Sequence, residues 1–334
     1  MLGFSLRLLD WVLSKERRTV VPLITYPALK LLNVTVPQAL SDPELHSEAA
    51  RLSVDELGSD IALPLMDLTV EAESLGARVK MTPTEAPTIV EHLAVSESEG
   101  WQMPEVPDPE VAGRFPLFLK TAELMKAKVQ NAPVGFYLLG PFTLAGQLLG
   151  VARLLKSVRK NPELVSDLLE LSTRLLTKYA RSLADRGVDI LVIAEPTAGL
   201  ISPRDFSKFS QEFLAQMIDA APSEWVLHIC GQSGHLIEAM AETGVVGISV
   251  DHNVDLLEAS KRVSDEVLLF GNYSPVKVAL EPVSVVREEV RRLMEKMSHV
   301  PNFVLCTGCD VPYRAPLKNI RALVEVGKSF PQPA

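Results

Sequence analysis

Eight short apolar runs alternate along the chain with longer amphipathic stretches. The runs cover 20–24, 60–65, 134–139, 189–194, 225–230, 245–250, 267–270 and 302–306, and they are rich in Val, Ile and Leu. Short runs without polar alternation are how strands buried on both faces read. Between them, apolar residues recur at helical spacing over 43–57, 144–155, 162–186, 203–220, 233–243, 255–263, 283–297 and 316–329. Asn161-Pro162 and Ser202-Pro203 each set a polar cap before a proline at the first helical position, and Gly187 closes the long helix as a glycine just past its end.

Strand followed by helix, repeated through the chain, predicts a (β/α)8 TIM barrel, an α/β fold. The competing architecture is an open doubly wound sheet. That fold places a glycine-rich phosphate-binding turn after its first strand, and 24–31 contains no glycine. The span 76–132 is too long for a simple crossover between the second and third strands. Pro83, Pro87, Pro104, Pro107 and Pro109 break it, while 113–129 has a helical pattern, so it reads as an insertion over the barrel mouth. Residues 1–18 carry Leu2, Leu6, Leu9 and Leu13 at helical spacing and predict an N-terminal helix. The expectation is one barrel domain over 1–334.

Composition narrows the function classes. The chain of 334 residues is 47% hydrophobic and 22% charged, an ordinary globular balance that excludes disordered and collagen-like classes. Lys and Arg total 33 against 42 Asp and Glu, a net charge of -9, so nucleic acid is not the expected partner. No secretory signal and no run of about 18 apolar residues occurs. The expected location is cytoplasmic, with no membrane partner. The three cysteines, Cys230, Cys306 and Cys309, are too few for a disulfide scaffold and fit a reducing compartment.

The active site of such a barrel lies at the C-terminal ends of its strands. Asp67, Glu195, His228, Cys230, Asp251, His252, Asn272, Tyr273, Cys306 and Cys309 all follow or end predicted strands. His228 and Cys230 are two residues apart, so on a strand they point to the same face. Cys309, in a glycine-containing turn after the eighth run, supplies a third soft donor. One imidazole and two thiolates with an open fourth position make a catalytic zinc site. A His-x-Cys pair is also met as plain packing, because buried free cysteine is common. Cys306 lies inside an apolar run and reads as packing. Cys306 and Cys309 form a CxxC, but not at the start of a helix after an early strand, where a thioredoxin-like motif belongs. Among the carboxylates, Glu195 is either a fourth, exchangeable ligand or the group that orients His228. Asp251 is the second candidate catalytic carboxylate. Asp67 is a candidate for cofactor binding or for capping the next helix. Asn272 and Tyr273 are assigned to the cofactor-binding side of the mouth.

Several segments together resemble a known family: MDLTVEAESLGA (66–77), GPFTLAGQLLG (140–150), EPTAGLISP (195–203), HICG (228–231), GISVD (247–251), GNYSP (271–275) and CTGCDVPYRAPLKNI (306–320). The ordered set is similar to the uroporphyrinogen decarboxylase superfamily, and more closely to its zinc-dependent branch, the corrinoid:coenzyme M methyltransferases. That branch's zinc motif falls on His228, Cys230 and Cys309. The resemblance implies methyl transfer between a methylcobalamin-type corrinoid, carried on a separate protein, and a thiol that Zn2+ activates. A corrinoid held within this chain is not implied, since no Asp-x-His-x-x-Gly segment occurs.

Two other readings stay open within the resemblance. One is a uroporphyrinogen decarboxylase-like lyase. The decarboxylases carry an N-terminal arginine-rich segment that grips the porphyrinogen carboxylates, and the matching VVPLITYPALKLL has no arginine. The other is a first methyltransferase, moving methyl from a small methoxy, methylthio or methylamine donor to cob(I)alamin. A tetrapyrrole-binding chaperone without turnover leaves the His-Cys-Cys set unexplained. For the sulfonate of coenzyme M, Arg204 and Arg314 are the candidate cations.

Overall fold

The computed structural model describes residues 7–93 and 103–333. Strands β1 (Arg78–Lys80) and β2 (Thr88–Glu91) pair antiparallel as a hairpin. Strands β3 (Gly135–Leu139), β4 (Ile190–Ala194), β5 (Glu224–Ile229), β6 (Gly247–Val250), β7 (Leu268–Tyr273) and β8 (Phe303–Thr307) form a parallel sheet in sequential order. Every residue of β3, β4, β6, β7 and β8 is buried, the condition that their unbroken apolar runs anticipate.

The first two runs fill the remaining places in the ring, but not as full strands. Each carries a single parallel bridge, Val20 to Leu305 on β8 and Ala62 to Val134 before β3. Hydrogen bonds extend these seams: Val21 N–H donates to Leu305 O at 2.8 Å, and Gly135 N–H donates to Ala62 O at 2.8 Å. The two segments join each other where Asp60 N–H donates to Val20 O and Val20 N–H donates to Asp60 Oδ2, both at 2.9 Å. Pro22 and Pro64 explain the missing ladders, because each removes a donor from its segment. The result is a (β/α)8 barrel whose ring is six parts ladder and two parts bridge.

Asp60 holds that weaker sector. Arg17 donates to both its oxygens, at 2.9 and 2.8 Å, and Lys328 Nζ stands 3.1 Å away. The neighbouring Arg18 is buried beneath the barrel and donates to the carbonyls of Val300, Met297 and Ser298 at 2.7–3.0 Å. Leu8–Leu13 forms a helix that buries Leu8 and Val12, and Leu8 N–H donates to Glu224 at the start of β5. This helix is shorter than the expected 1–18. Leu2 and Leu6 lie outside the described residues.

Other elements depart from the expected boundaries for identifiable reasons. The stretch 144–155 is two helices, Pro141–Leu149 and Val151–Lys160, separated by Gly150 at φ +88. A side chain there would be strained and would press on His92. The stretch 203–220 is one helix with a π-turn at Ser207–Gln211. Within 76–132, the helix Phe115–Lys128 packs against Pro43–Asp55 as part of the barrel wall. The part outside that wall includes the β1–β2 hairpin.

The barrel interior holds a void of about 30 Å3. Val21, Leu63, Tyr137, Val192, His228 and Cys306 are among the residues that line it.

Burial opposes ionisation of Asp60, but the bonds from Arg17 and Val20 and the charges of Lys15 and Lys328 hold its carboxyl below the usual range. A group with its folded pKa below its unfolded value contributes stability above the unfolded value, and that stability is lost as pH falls through the folded one. Stability therefore declines below about pH 4. Asp60→Asn is expected to cost about 2–3 kcal/mol at pH 7 and to shrink that acid-sensitive component. Urea unfolding of both proteins at pH 7 and pH 3.5 measures it.

Candidate metal centre

His228 stands in β5 and Cys230 just past its end, on the same side of the chain. Parallel register sets Ser249 of β6 beside His228, and His228 Nδ1 hydrogen-bonds to Ser249 Oγ at 2.9 Å. In the tautomer that donates Nδ1–H to Ser249, Nε2 presents its lone pair. That atom is buried and has no hydrogen-bond partner. A histidine held through one nitrogen, with the other buried and free, is arranged as a metal ligand is.

Cys309 arrives from β8 through Gly308. The Gly308 N–H donates to Tyr273 O at 2.9 Å, which folds the turn over the sheet end. A Cβ on Gly308 would come within 2.4 Å of His252 N and 3.1 Å of the Asp251 carbonyl carbon. Only glycine lets this turn lie directly on the end of β6. The outcome is that one ligand atom each from His228, Cys230 and Cys309 all lie within 4.8 Å of one another.

The neighbouring Cys309 thiol holds the Cys230 pKa below the usual thiol value. The nearness of Cys230, with burial, pushes Cys309 up to about 12. Two sulfurs and one imidazole nitrogen fit a soft divalent ion with one position left open. Cys306 is not in the group. It lines the interior void, and burial pushes its thiol up.

Asp251 completes the surroundings. Its Oδ2 accepts from Gly231 N–H at 2.8 Å, pinning the turn that follows Cys230, and its Oδ1 lies against His252 Nδ1.

The family description for uroporphyrinogen decarboxylase (URO-D) matches residues 16–330. The chain belongs to the uroporphyrinogen decarboxylase family. Within that family, the chain is 30% identical over 295 residues to the methylcobamide:CoM methyltransferase MtaA of Methanosarcina barkeri, covering 86% of this chain and 85% of that one. It is 27% identical over 306 residues to the methylcobamide:CoM methyltransferase MtbA of Methanosarcina acetivorans, covering 88% and 87%. A uroporphyrinogen decarboxylase of Thermus thermophilus is 26% identical over 302 residues, covering 87% and 86%. A solved methyltransferase structure from Methanosarcina mazei superposes with a TM-score of 0.87 at 26% identity, over 97% of this chain and 98% of that one.

Four of the residues assigned from sequence to catalysis or cofactor binding make other contacts. Glu195 is fully buried and accepts from the backbone N–H groups of Phe142 and Thr143, at 2.9 and 2.8 Å, and from Ser210 Oγ at 3.1 Å. It anchors the N-terminus of helix Pro141–Leu149, so its carboxylate neither joins the three donors nor orients His228. Ser249 does the orienting. Gly140 leaves room for the carboxylate, since a Cβ there would sit 2.3 Å from its Cδ. Asp67 accepts from Thr69 N–H at 3.0 Å and pairs with Arg114, so it is a turn and ion-pair residue. Asn272 donates to the carbonyls of Asp251 and Val254, at 2.9 and 2.7 Å, and shapes the turn after β6. Tyr273 points away from the mouth, with its hydroxyl donating to Glu289 at 3.0 Å on the helix Val283–Lys296.

Ser249 and Gly308 were not singled out from the sequence. Gly308 stands inside CTGC, where a glycine directly before a ligand signals a close backbone approach. A lone serine on a strand carries no comparable signal. His46 has polar sequence neighbours, yet it is buried. Its Nε2 accepts from Leu65 N–H at 2.9 Å, and burial pushes its pKa down to about 3.

Two variants separate orientation from anchoring. Ser249→Ala is expected to weaken metal affinity about 10- to 100-fold, read by competition with a chelating dye. Glu195→Gln turns an amide donor against a backbone N–H and is expected to cost about 1–3 kcal/mol in urea unfolding, with metal affinity unchanged.

Proposed function

We propose that this protein is a zinc-dependent methyltransferase that moves a methyl group between a methyl-corrinoid, carried on a separate protein, and a small thiol. The observation that carries this reading is the convergence of His228, Cys230 and Cys309 at the open end of the barrel. Zinc bound there would supply Lewis acidity, so that a substrate thiol is held as the nucleophilic thiolate at neutral pH.

The chain's own residues provide the rest. Ser249 fixes the imidazole ring, and Asp251 holds the Cys230–Gly231 turn in place. The sulfur takes the methyl carbon as the cobalt–carbon bond breaks, the electron pair stays on cobalt, and the thiol proton passes to solvent. The methylcobamide:CoM methyltransferases among the relatives support both the reaction and the corrinoid partner.

A decarboxylase-like reading needs cations for the substrate carboxylates. Arg17 and Arg18 are engaged at the opposite end of the barrel, with Asp60 and with backbone carbonyls. We read the whole chain as one catalytic domain with the hairpin β1–β2 as an insertion, working in the cytoplasm. No described helix is long and apolar enough to cross a membrane.

Elemental analysis is expected to find one zinc per chain. Methylcobalamin is expected to lose its methyl group to a thiol in the presence of the protein, followed by the visible spectrum of the corrinoid. His228→Ala/Cys230→Ala should lose both the zinc and the transfer. Full methylation by that double variant, or purified active protein without zinc, overturns the proposal.

A further inference from the structure

The end of the barrel opposite the candidate metal centre holds a second charged site, which the methyl transfer proposed above does not use. Lys15, Glu16, Arg17, Lys328, Phe330 and Pro331 are among the residues lining an open recess of about 580 Å3 there. Three of them are cations, and they converge on one atom. Lys15 Nζ, Arg17 Nη2 and Lys328 Nζ stand 3.8, 2.8 and 3.1 Å from Asp60 Oδ1. The other carboxylate oxygen accepts from Arg17 Nη1 and from the Val20 N–H, both at 2.9 Å. One carboxylate therefore faces three cations, which leaves two positive charges over.

The layering matters as much as the sum. The Asp60 side chain is 7% exposed, whereas those of Lys15, Arg17 and Lys328 are 20, 38 and 26% exposed. The carboxylate is the buried layer, and the cations are the face that water meets. Glu16 on the same wall is exposed and lowers the excess to one, in a chain whose net charge is -9. Lys15 is also held against Trp11, 3.6 Å from the ring centroid. Burial, with the charges of Arg17 and Lys328, pushes its pKa down to about 8 in spite of Asp60. Like charges gathered this closely disfavour one another, and an anion in the recess would relieve them. Each cation is already aimed by its attraction to Asp60, so a ligand would bind without first ordering three long side chains.

The charge and the shape together select the ligand. A phosphoryl group on an organic molecule carries close to two negative charges at neutral pH and three acceptor oxygens, enough to meet all three cations. Each lysine ammonium keeps donors beyond the one turned to Asp60. A carboxylate would bring one charge and two oxygens. The recess is far larger than a free phosphate ion, and Phe330 and Pro331 give it an apolar wall.

We propose that this recess binds a phosphate monoester, with the phosphoryl group between Lys15, Arg17 and Lys328 and the organic part along Phe330 and Pro331. The inference is independent of the methyl-transfer reading. Isothermal titration of the metal-loaded protein at fixed ionic strength tests it, with adenosine monophosphate, adenosine and inorganic phosphate as the probes. The monophosphate is expected to bind about tenfold or more tightly than either of the others. Lys15→Gln/Lys328→Gln should weaken the monophosphate about tenfold or more. His228→Ala/Cys230→Ala, at the other end of the barrel, should bind it as the unaltered protein does. Absence of monophosphate binding overturns the inference. Adenosine or inorganic phosphate binding as tightly as the monophosphate overturns it too, and these comparisons hold even if a variant does not fold. Monophosphate affinity that survives in a folded Lys15→Gln/Lys328→Gln protein, or that is lost with His228 and Cys230, places the ligand elsewhere and overturns the inference as well.

Discussion

Six strands in a continuous ladder do not by themselves make a barrel, and closing the ring falls to two segments that cannot form ladders of their own. Pro22 and Pro64 deny those segments the necessary donors. Asp60 makes up the deficit from the far end of the molecule. Its carboxylate accepts from the Val20 backbone of one segment while its own backbone belongs to the other, and the cations around it keep it ionised. The candidate metal centre depends on this closure. Cys230 follows β5 and Cys309 follows β8, so their sulfurs meet only if the ring holds β8 at a fixed place relative to β5.

Near the mouth the same economy recurs, with backbone contacts placing the reactive groups. Gly308 allows the turn after β8 to rest on the turn after β6, and Asn272 shapes that turn through two carbonyls. Asp251 reaches from it to the Gly231 N–H. Cys230, Asp251 and Cys309 are thus carried by three turns locked to one another. His228 is set differently, by a side chain on the neighbouring strand. Sites of this kind tolerate little displacement, because each ligand is held by the turn that also holds its neighbour.

The parts of the structure that were legible in the sequence are those set by a local pattern. Six apolar runs became ladder strands because complete burial leaves a run with no polar alternation. His228 and Cys230 were paired because strand residues two apart share a face. Where the sequence misled, a local rule met a non-local partner. Tyr273 ends a barrel strand, the place where catalytic groups gather, yet its hydroxyl reaches an outer helix at Glu289. Glu195 ends another, and its carboxylate is taken up by the start of the helix Pro141–Leu149 and by Ser210. The π-turn at Ser207–Gln211 carries that serine, and no spacing rule announces it. His46 is the opposite case: its sequence neighbours are polar, yet it is enclosed against Phe118.

The interior of the barrel has a kinetic meaning. A void of about 30 Å3 is no passage for a substrate, and the helix Leu8–Leu13 covers the lower end of β5. Among the described residues, the way into the site is therefore by the strand-end doorway and not through the barrel. On the methyl-transfer reading, both reactants enter by that doorway, one of them a macrocycle on a protein broad enough to block it. The thiol must be seated before the corrinoid lands, and the methylated product leaves only after the corrinoid lifts away. Such a geometry imposes an ordered ternary sequence, in which dissociation of the carrier protein governs release of the product.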